Sequence, residues 1–341
     1  MIQFQLQAKK KSNRFVLAAD MGGTKVNMAL YDVTGKLPKV LFKEKFHSAA
    51  YKSFDSILKK FLEKYPTPFP GCICVGVAGP VVNGVAKFTN LNWLISKKEI
   101  IKITGIKKVA LLNDLEATAY GVAYLTQKDF QSLYLNKKQV AGNILMVAPG
   151  TGLGISGLLE TEKLYNIISS EGGHSEYAPR TNDDILLYKY LKTKKKIVSW
   201  EHIVSGRGIE NIYSFLRDVK KMKEPAWLLK EFKTGDIAAV ISEQALLKKS
   251  AICQKSMKIF IENLARFSSS MALTFKATGG IYLCGGIPPK IIELLNEYDF
   301  NKHFLTSDRM NDLLKQIPVK IVLNEETALL GAAYFAANGI G

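Results

Sequence analysis

Short runs of consecutive apolar residues alternate with amphipathic stretches along nearly the whole chain, the pattern of an α/β protein. Residues 15–19, Phe-Val-Leu-Ala-Ala, predict a short buried strand ending at Asp20-Met21-Gly22-Gly23-Thr24. Beyond it Val26, Met28 and Leu30 alternate with Lys25, Asn27 and Ala29. A period of two predicts a second strand, so the glycine turn joins two strands in a hairpin. Tyr31-Asp32-Val33-Thr34-Gly35 reads as the turn that follows. Residues 53–64 put Phe54, Ile57, Leu58, Phe61 and Leu62 on one helical face, and Pro66, Pro68 and Pro70 stop that helix. Apolar runs at 72–77 and 109–112 predict further buried strands. Asp114 then opens a helix expected over residues 115–125, with Asn113 or Asp114 as its cap.

A second glycine turn, Ala148-Pro149-Gly150-Thr151-Gly152-Leu153-Gly154, also lies between two strand-like runs, 144–147 and 155–159. Strand, glycine turn bearing a threonine, strand: the device occurs twice and suggests two related halves. Gly285-Gly286 follows a third strand over 280–284, and Pro288-Pro289 starts a helix through Leu294 and Leu295. No low-complexity linker marks a boundary. The expected division is a small α/β domain of residues 1–124 plus 325–341 and a large α/β domain of residues 125–324. The C-terminal helix, 327–337, then packs back on the first half.

Composition narrows the class. With 47% hydrophobic and 23% charged residues, the 341-residue chain has the means to build packed cores. Its four cysteines include no CxxC pair: Cys72 and Cys74 lie inside an apolar run, and Cys253 and Cys284 are isolated. They read as buried thiols of a reducing compartment. The first residues show no apolar core of a secretory signal. Residues 141–159 are uncharged, but Pro149 and the glycines break them with turn chemistry, so a membrane helix is not expected. The cytoplasm is the expected location. The net charge of +17 comes almost entirely from lysine, in clusters near 9–11, 192–196 and 220–223, while arginine is scarce. No zinc-finger spacing, RNP motif or helix-turn-helix pattern accompanies it. The excess reads as a lysine-rich solvated surface, with neither nucleic acid nor membrane as a partner.

A glycine turn lets backbone N–H groups approach an anion closely. No segment matches the Walker A pattern. Gly150-Thr151-Gly152-Leu153-Gly154 resembles a dinucleotide fingerprint, yet a strand rather than a helix follows it. A third design places phosphate in a β-hairpin turn, with a carboxylate at its mouth that holds Mg²⁺ through water. Asp20, Gly22, Gly23, Thr24 and Lys25 supply its parts, and one Asp suits an ion that keeps its waters and takes nucleotide phosphates as ligands. The competing reading is a ligand-free hairpin; two such turns together with the Gly285-Gly286 turn in one chain weigh against it.

On these motifs the chain resembles the bacterial glucokinases of the actin-like ATPase and sugar-kinase superfamily, with matching stretches from Phe15 to Gly331. Residues 20–25 are similar to the superfamily's first phosphate motif. Gly150, Thr151 and Gly152 fall in its second, and Gly285 and Gly286 in its adenosine motif. The resemblance implies a two-domain actin-like ATPase (ribonuclease H-like) fold whose smaller and larger domains close on a cleft, ATP with Mg²⁺ as cofactors, and a homodimer.

A sugar hydroxyl is a weak nucleophile at neutral pH, so a sugar kinase places a carboxylate to accept its proton as the phosphoryl group transfers in line. Asp114 stands where a strand gives way to a helix; read alone it is either such a base or a simple cap. Asn113-Asp114 matches the glucokinase Asn-Asp pair, which implies Asp114 as base and Asn113 as a sugar hydrogen-bonder. Glu171-Gly172-Gly173-His174 resembles the family's EGGH motif, implying that Glu171 and His174 bind sugar hydroxyls. Glu201, followed by His202-Ile203-Val204-Ser205-Gly206, aligns with a further sugar-binding Glu, and Asn90 falls in a Thr-Asn sugar-loop element. His202 itself reads as surface. Residues 175–184 contain no cysteine, so His174 does not announce a zinc site. Thr24-Lys25 is closer to the repressor and sugar-kinase branch than to the commonest glucokinase version.

The leading expectation is ATP-dependent phosphorylation of glucose to glucose 6-phosphate. A kinase of mannose, fructose or an N-acetylhexosamine is the alternative. A non-catalytic sugar-responsive regulator using the basic surface on DNA comes third, opposed by the missing helix-turn-helix and the intact Asp114.

Overall fold

The computed structural model describes residues 2–6, 14–88, 91–135 and 140–340. The chain divides into two compact units, one of Met1–Lys128, Glu160–Ser169 and Asn324–Gly341, the other of Asp129–Leu159 and Ser170–Leu323.

The first unit contains β1 (Phe15–Met21), β2 (Lys25–Asp32), β3 (Lys39–His47), β4 (Cys72–Val77), β5 (Val81–Val82), β6 (Val85–Phe88), β7 (Trp93–Ser96) and β8 (Val109–Asn113). Its main sheet runs β3-β2-β1-β4-β8, and β5-β6-β7 form a small separate sheet. β1, β2 and β3 are antiparallel neighbours, whereas β1, β4 and β8 are parallel. Period two sorts β1 between two cores. Leu17, Ala19 and Met21 pack with Phe54, Ile57, Leu58 and Phe61 of the helix Phe54–Lys64, while Val16 and Ala18 face Leu329, Ala332, Ala333 and Ala336 of the helix Thr327–Asn338. A sheet covered on both faces needs apolar side chains at every position, which is why its parallel strands read as continuous runs. Burying each such Leu or Phe contributes about 1.5–3 kcal/mol.

The second unit's sheet is built from β9 (Phe130–Tyr134), β10 (Ile144–Pro149), β11 (Leu153–Thr161), β12 (Leu164–Ser170), β13 (Gly280–Leu283) and β14 (Val319–Val322). Its order is β12-β11-β10-β13-β14-β9. A hairpin, β10–β11, continues into parallel β13 and β14. Apart from the added β9, this repeats the order of the first sheet strand for strand, and the suggested relation between halves is realised as topology. One large core fills this unit, with the 25-residue helix Ala251–Phe275 contributing Phe260, Leu264 and Phe267.

Two expectations need correction in detail. The helix after Asp114 ends at Gly121 and tightens into a 3₁₀ turn over Val122–Tyr124, short of residue 125. The stretch after Pro288 is likewise a 3₁₀ turn to Ile291, and the helix proper is Ile292–Glu297. All four cysteines are free and buried, and burial pushes the Cys74 and Cys284 thiols well above their ordinary range. Among the described residues no helix is long and apolar enough to cross a membrane.

Candidate active site

In the first unit, Asp20 and the Asn113-Asp114 pair meet at one edge of the sheet. Asp20 pairs with Gly76 of β4, Gly76 with Leu112 of β8, and the next row joins Val77 to Asn113. Parallel β1, β4 and β8 thus end together, with Asp20 and Asn113 two strands apart, about 10 Å at the usual strand spacing. The carboxyl edge of such strands is where open α/β sheets bind ligands.

The first glycine turn closes between Met21 and Val26, its Gly22 N–H donating to the Lys25 carbonyl at 3.0 Å. Gly23, Thr24 and Lys25 are exposed. A Cβ on Gly22 would meet the Lys25 oxygen at an ordinary 3.6 Å. Neither packing nor a left-handed backbone requires glycine there; what glycine leaves is open backbone. Asp20 is a half-buried carboxylate with one weak hydrogen bond, from Asn27 Nδ2 at 3.4 Å. Burial raises its pKa, and the Asn27 bond offsets this only in part. A desolvated carboxylate so poorly compensated is a good seat for a cation. The donor set therefore fits a water-retaining Mg²⁺ held by one carboxylate.

Asn113, not Asp114, is the helix cap. Its Oδ1 accepts the Leu115 N–H at 2.9 Å, its Nδ2 donates to the Gly79 carbonyl at 3.1 Å, and its own N–H donates to Glu116 Oε2 at 3.1 Å. This is a capping box. Asp114 is the first helical residue, half-buried, with Oδ1 also 2.9 Å from the Leu115 nitrogen. Glu116 was missed by sequence reasoning although Asn-x-x-Glu announces it; its other oxygen accepts from the Ser169 hydroxyl. Asn27 was missed too, and counting across the hairpin finds it, since position 20 opposes position 27. Asn90 lies outside the described residues.

The second unit gathers Gly150, Thr151, Gly152, Glu171, His174, Glu201, Gly285 and Gly286 near the ends of β10 and β13. The three-residue turn 150–152 closes through Gly150 N–H to the Gly152 carbonyl at 2.8 Å. Gly206 N–H donates to the Gly150 carbonyl, also at 2.8 Å, anchoring the turn from behind. Glu201 Oε2 accepts the Leu153 N–H at 3.0 Å. Residues 171–174 pack on the strand leaving the turn: a Cβ on Gly173 would sit 2.0 Å from the Leu153 carbonyl oxygen. Trp200 N–H donates to the Ser175 carbonyl at 3.0 Å, tying the Glu201 segment to the same motif. The side chains of Glu171 and His174 are exposed. Gly285 has φ +81°, and a Cβ there would strike the Pro149 oxygen at 2.7 Å, so the third turn seats against the second. At Gly150 and Gly286 a Cβ would meet nothing within 4 Å. Neither position is held to glycine by packing.

His202 is half-buried rather than a surface residue. Its Nδ1 accepts the Ser199 N–H at 3.0 Å, and burial together with nearby Lys195 lowers its pKa, keeping the ring neutral.

Comparison with known proteins follows the same lines. The glucokinase family model matches residues 17–339. A glucokinase of Nostoc punctiforme (strain ATCC 29133 / PCC 73102) is 36% identical over 336 residues, spanning 94% of this chain and 98% of that one. Among solved structures, the glucokinase from an Antarctic psychrotroph superposes with TM-score 0.80 at 29% identity, covering 94% of this chain and 98% of the other. A ROK family glucokinase from Streptomyces griseus, in complex with glucose and AMPPNP, shares the fold with TM-score 0.62 at 18% identity, over 94% and 98% of the two chains.

Proposed function

The chain belongs to the glucokinase family, and from that premise we propose that it transfers the terminal phosphoryl group of ATP to the 6-hydroxyl of glucose, with Asp114 as general base. Its fold is that of the actin-like ATPases and sugar kinases. The observation that carries the mechanism is the common edge of β1 and β8, where the Asp20 turn and the Asn113-Asp114 pair end two strands apart. Asn113 holds the helix start rigid, and Asp114 accepts the hydroxyl proton as the oxygen attacks. Glu171, His174, Glu201 and Asn90 hold sugar hydroxyls and set the ring's orientation. The amides of the two hairpin turns stabilise charge on the phosphates, and Gly285-Gly286 lets the nucleotide lie close to the backbone. Mg²⁺, held by Asp20 through water, would supply neutralisation of the phosphate charge. The same family reading makes the protein a cytoplasmic homodimer whose product enters glycolysis.

The test is a coupled assay of ADP release across glucose, mannose, fructose and N-acetylhexosamines, with and without Mg²⁺. Glucose is expected to show the highest kcat/KM, and turnover to require Mg²⁺. Thr24-Lys25 is the reason to include the other sugars; a higher kcat/KM for any of them reassigns the substrate while leaving the mechanism in place. Near-normal turnover of Asp114→Ala removes that residue from its role.

A further inference from the structure

Glu201 makes a contact that a sugar ligand does not need. Its Oε2 accepts the Leu153 N–H, which belongs to the backbone leaving the second phosphate turn. Gly152, inside that turn, lies so close to this carboxylate that a Cβ would stand 2.6 Å from Oε2. The segment holding Glu201 is fixed to the turn again by Gly206 N–H on the Gly150 carbonyl, 2.8 Å, and is braced by Ser205 Oγ on the Glu201 carbonyl, 2.6 Å. One oxygen of the carboxylate is therefore engaged by the turn, and no hydrogen bond to Oε1 is found among the described residues. A carboxylate can serve two donors on its two oxygens at once.

We propose that Glu201 is a bridge between the two substrates, with Oε2 holding the nucleotide's phosphate turn and Oε1 taking a sugar hydroxyl. This rests on the reading of Glu201 as a sugar ligand and adds to it a coupling role. A hydroxyl donating to Oε1 restrains the carboxylate, the carboxylate restrains Leu153 N–H, and the turn amides are held in their phosphate-binding arrangement before the nucleotide arrives. Preorganisation of that kind appears as positive linkage: sugar tightens nucleotide, and nucleotide tightens sugar by the same factor. Because Glu201 and the turn it holds both lie in the second unit, the coupling operates within one compact unit.

Calorimetric titration of the full chain with AMPPNP and Mg²⁺, in the absence and presence of saturating glucose, measures the factor directly. For the wild type glucose is expected to lower the AMPPNP Kd by about 5-fold or more, the lower end of ordinary linkage. Glu201→Ala is expected to weaken glucose and, once glucose is raised to saturation again, to bring the factor to within about 2-fold of unity. Gly152→Ala is the independent variant. It leaves Glu201 in place, but its methyl pushes the carboxylate, the far end of a flexible side chain, off Leu153. It is expected to lose the coupling as Glu201→Ala does, with an unfolding midpoint near that of the wild type. Coupling that survives at saturating glucose in both variants overturns the bridge and leaves Glu201 a plain sugar ligand, as does a wild type that binds both ligands without linkage. Unchanged glucose affinity in Glu201→Ala removes the sugar contact itself. Failure of the wild type to bind glucose removes the functional reading and the bridge together.

Discussion

Asp114 occupies the first helical position while its neighbour takes the cap, and this separates the proposed chemistry from stability at adjacent residues. Asn113→Ala forfeits the bond to Leu115 N–H and is expected to cost about 1 kcal/mol, visible as a lower unfolding midpoint. Asp114→Ala leaves that cap intact, so its midpoint should fall less than that of Asn113→Ala, while kcat falls by about 10² or more. A midpoint loss in Asp114→Ala as large as in Asn113→Ala would return Asp114 to the role of a cap. The glycines divide in a similar way, and sequence alone cannot sort them. Gly22, Gly150 and Gly286 have room for a side chain; Gly173 and Gly285, set against backbone, do not, and at Gly152 only the end of the Glu201 side chain stands in the way. A glycine in a turn announces itself, but whether it is there for the backbone or for a ligand depends on atoms distant in the chain. Gly286→Ala is accordingly expected to keep its stability within about 0.5 kcal/mol, since its Cβ meets open space, while raising the KM for ATP. An unchanged KM would place the nucleotide elsewhere.

The elements that the alternation predicted are those whose pattern is local. β1, β2 and the helix Phe54–Lys64 follow from their own residues: the helix begins after Ser53, whose Oγ accepts the Ser56 N–H at 3.3 Å. The helix bearing Asp114 was predicted too long: it tightens into a 3₁₀ turn after Gly121, where its backbone lies against a partner about 200 residues away. At Gly121 a Cβ would lie 1.9 Å from the Thr327 oxygen, and at Gly331 one would lie 1.6 Å from the Ala117 oxygen. Two backbones touch there, so the helices Asp114–Gly121 and Thr327–Asn338 cross at glycines. Gly331→Ala must separate them, and is expected to cost more than the roughly 1–3 kcal/mol of ordinary overpacking, measured by denaturant titration. A second non-local device joins the helices Asn182–Lys192 and Ala251–Phe275. Buried Asp184 accepts from Arg180 N–H at 3.2 Å, Thr181 N–H at 2.8 Å and Asn263 Nδ2 at 3.3 Å, and pairs with the Arg266 guanidinium. Burial pushes the Asp184 pKa up, but the Thr181 N–H and Arg266 together bring it below the ordinary aspartate value. A carboxylate whose folded pKa is depressed stabilises the fold above its unfolded value, about 3.9, and that stability is lost as pH falls through the folded one. Asp184→Asn is therefore expected to lower stability at pH 7 and to flatten its decline below about pH 4. An equally steep acid decline in the variant would show that other carboxylates carry it.

At the scale of the whole chain, the duplication was readable as two hairpins with threonine-bearing glycine turns. Its full extent, the shared order of five strands, was not, because strands such as β3 and β12 carry half-exposed patterns that no single motif marks. The residues of the candidate site stood out for the same reason the hairpins did: they sit in turns and strand ends where few residue types serve. Asn27 and Glu116 were missed although hairpin counting and the Asn-x-x-Glu spacing point to them, whereas the seating of Glu201 on Leu153 carries no local signal, since its partner is set by the fold. The net charge of +17, 47 basic against 30 acidic residues, belongs to no motif and acts on the whole molecule. Its physical consequence differs between the two substrates. MgATP is an anion and is drawn by a positive protein over distances comparable with the Debye length, whereas glucose is neutral and is not. Raising ionic strength from about 0.01 M to about 1 M shortens that length from about 30 Å to about 3 Å. With free Mg²⁺ held constant, kcat/KM for ATP should then fall several-fold, while kcat and the KM for glucose measured at saturating ATP stay level. Equal rises in both KM values would point instead to a general salt effect on the fold, and a flat response for ATP would mean that the lysines lie too far from the nucleotide's path to steer it.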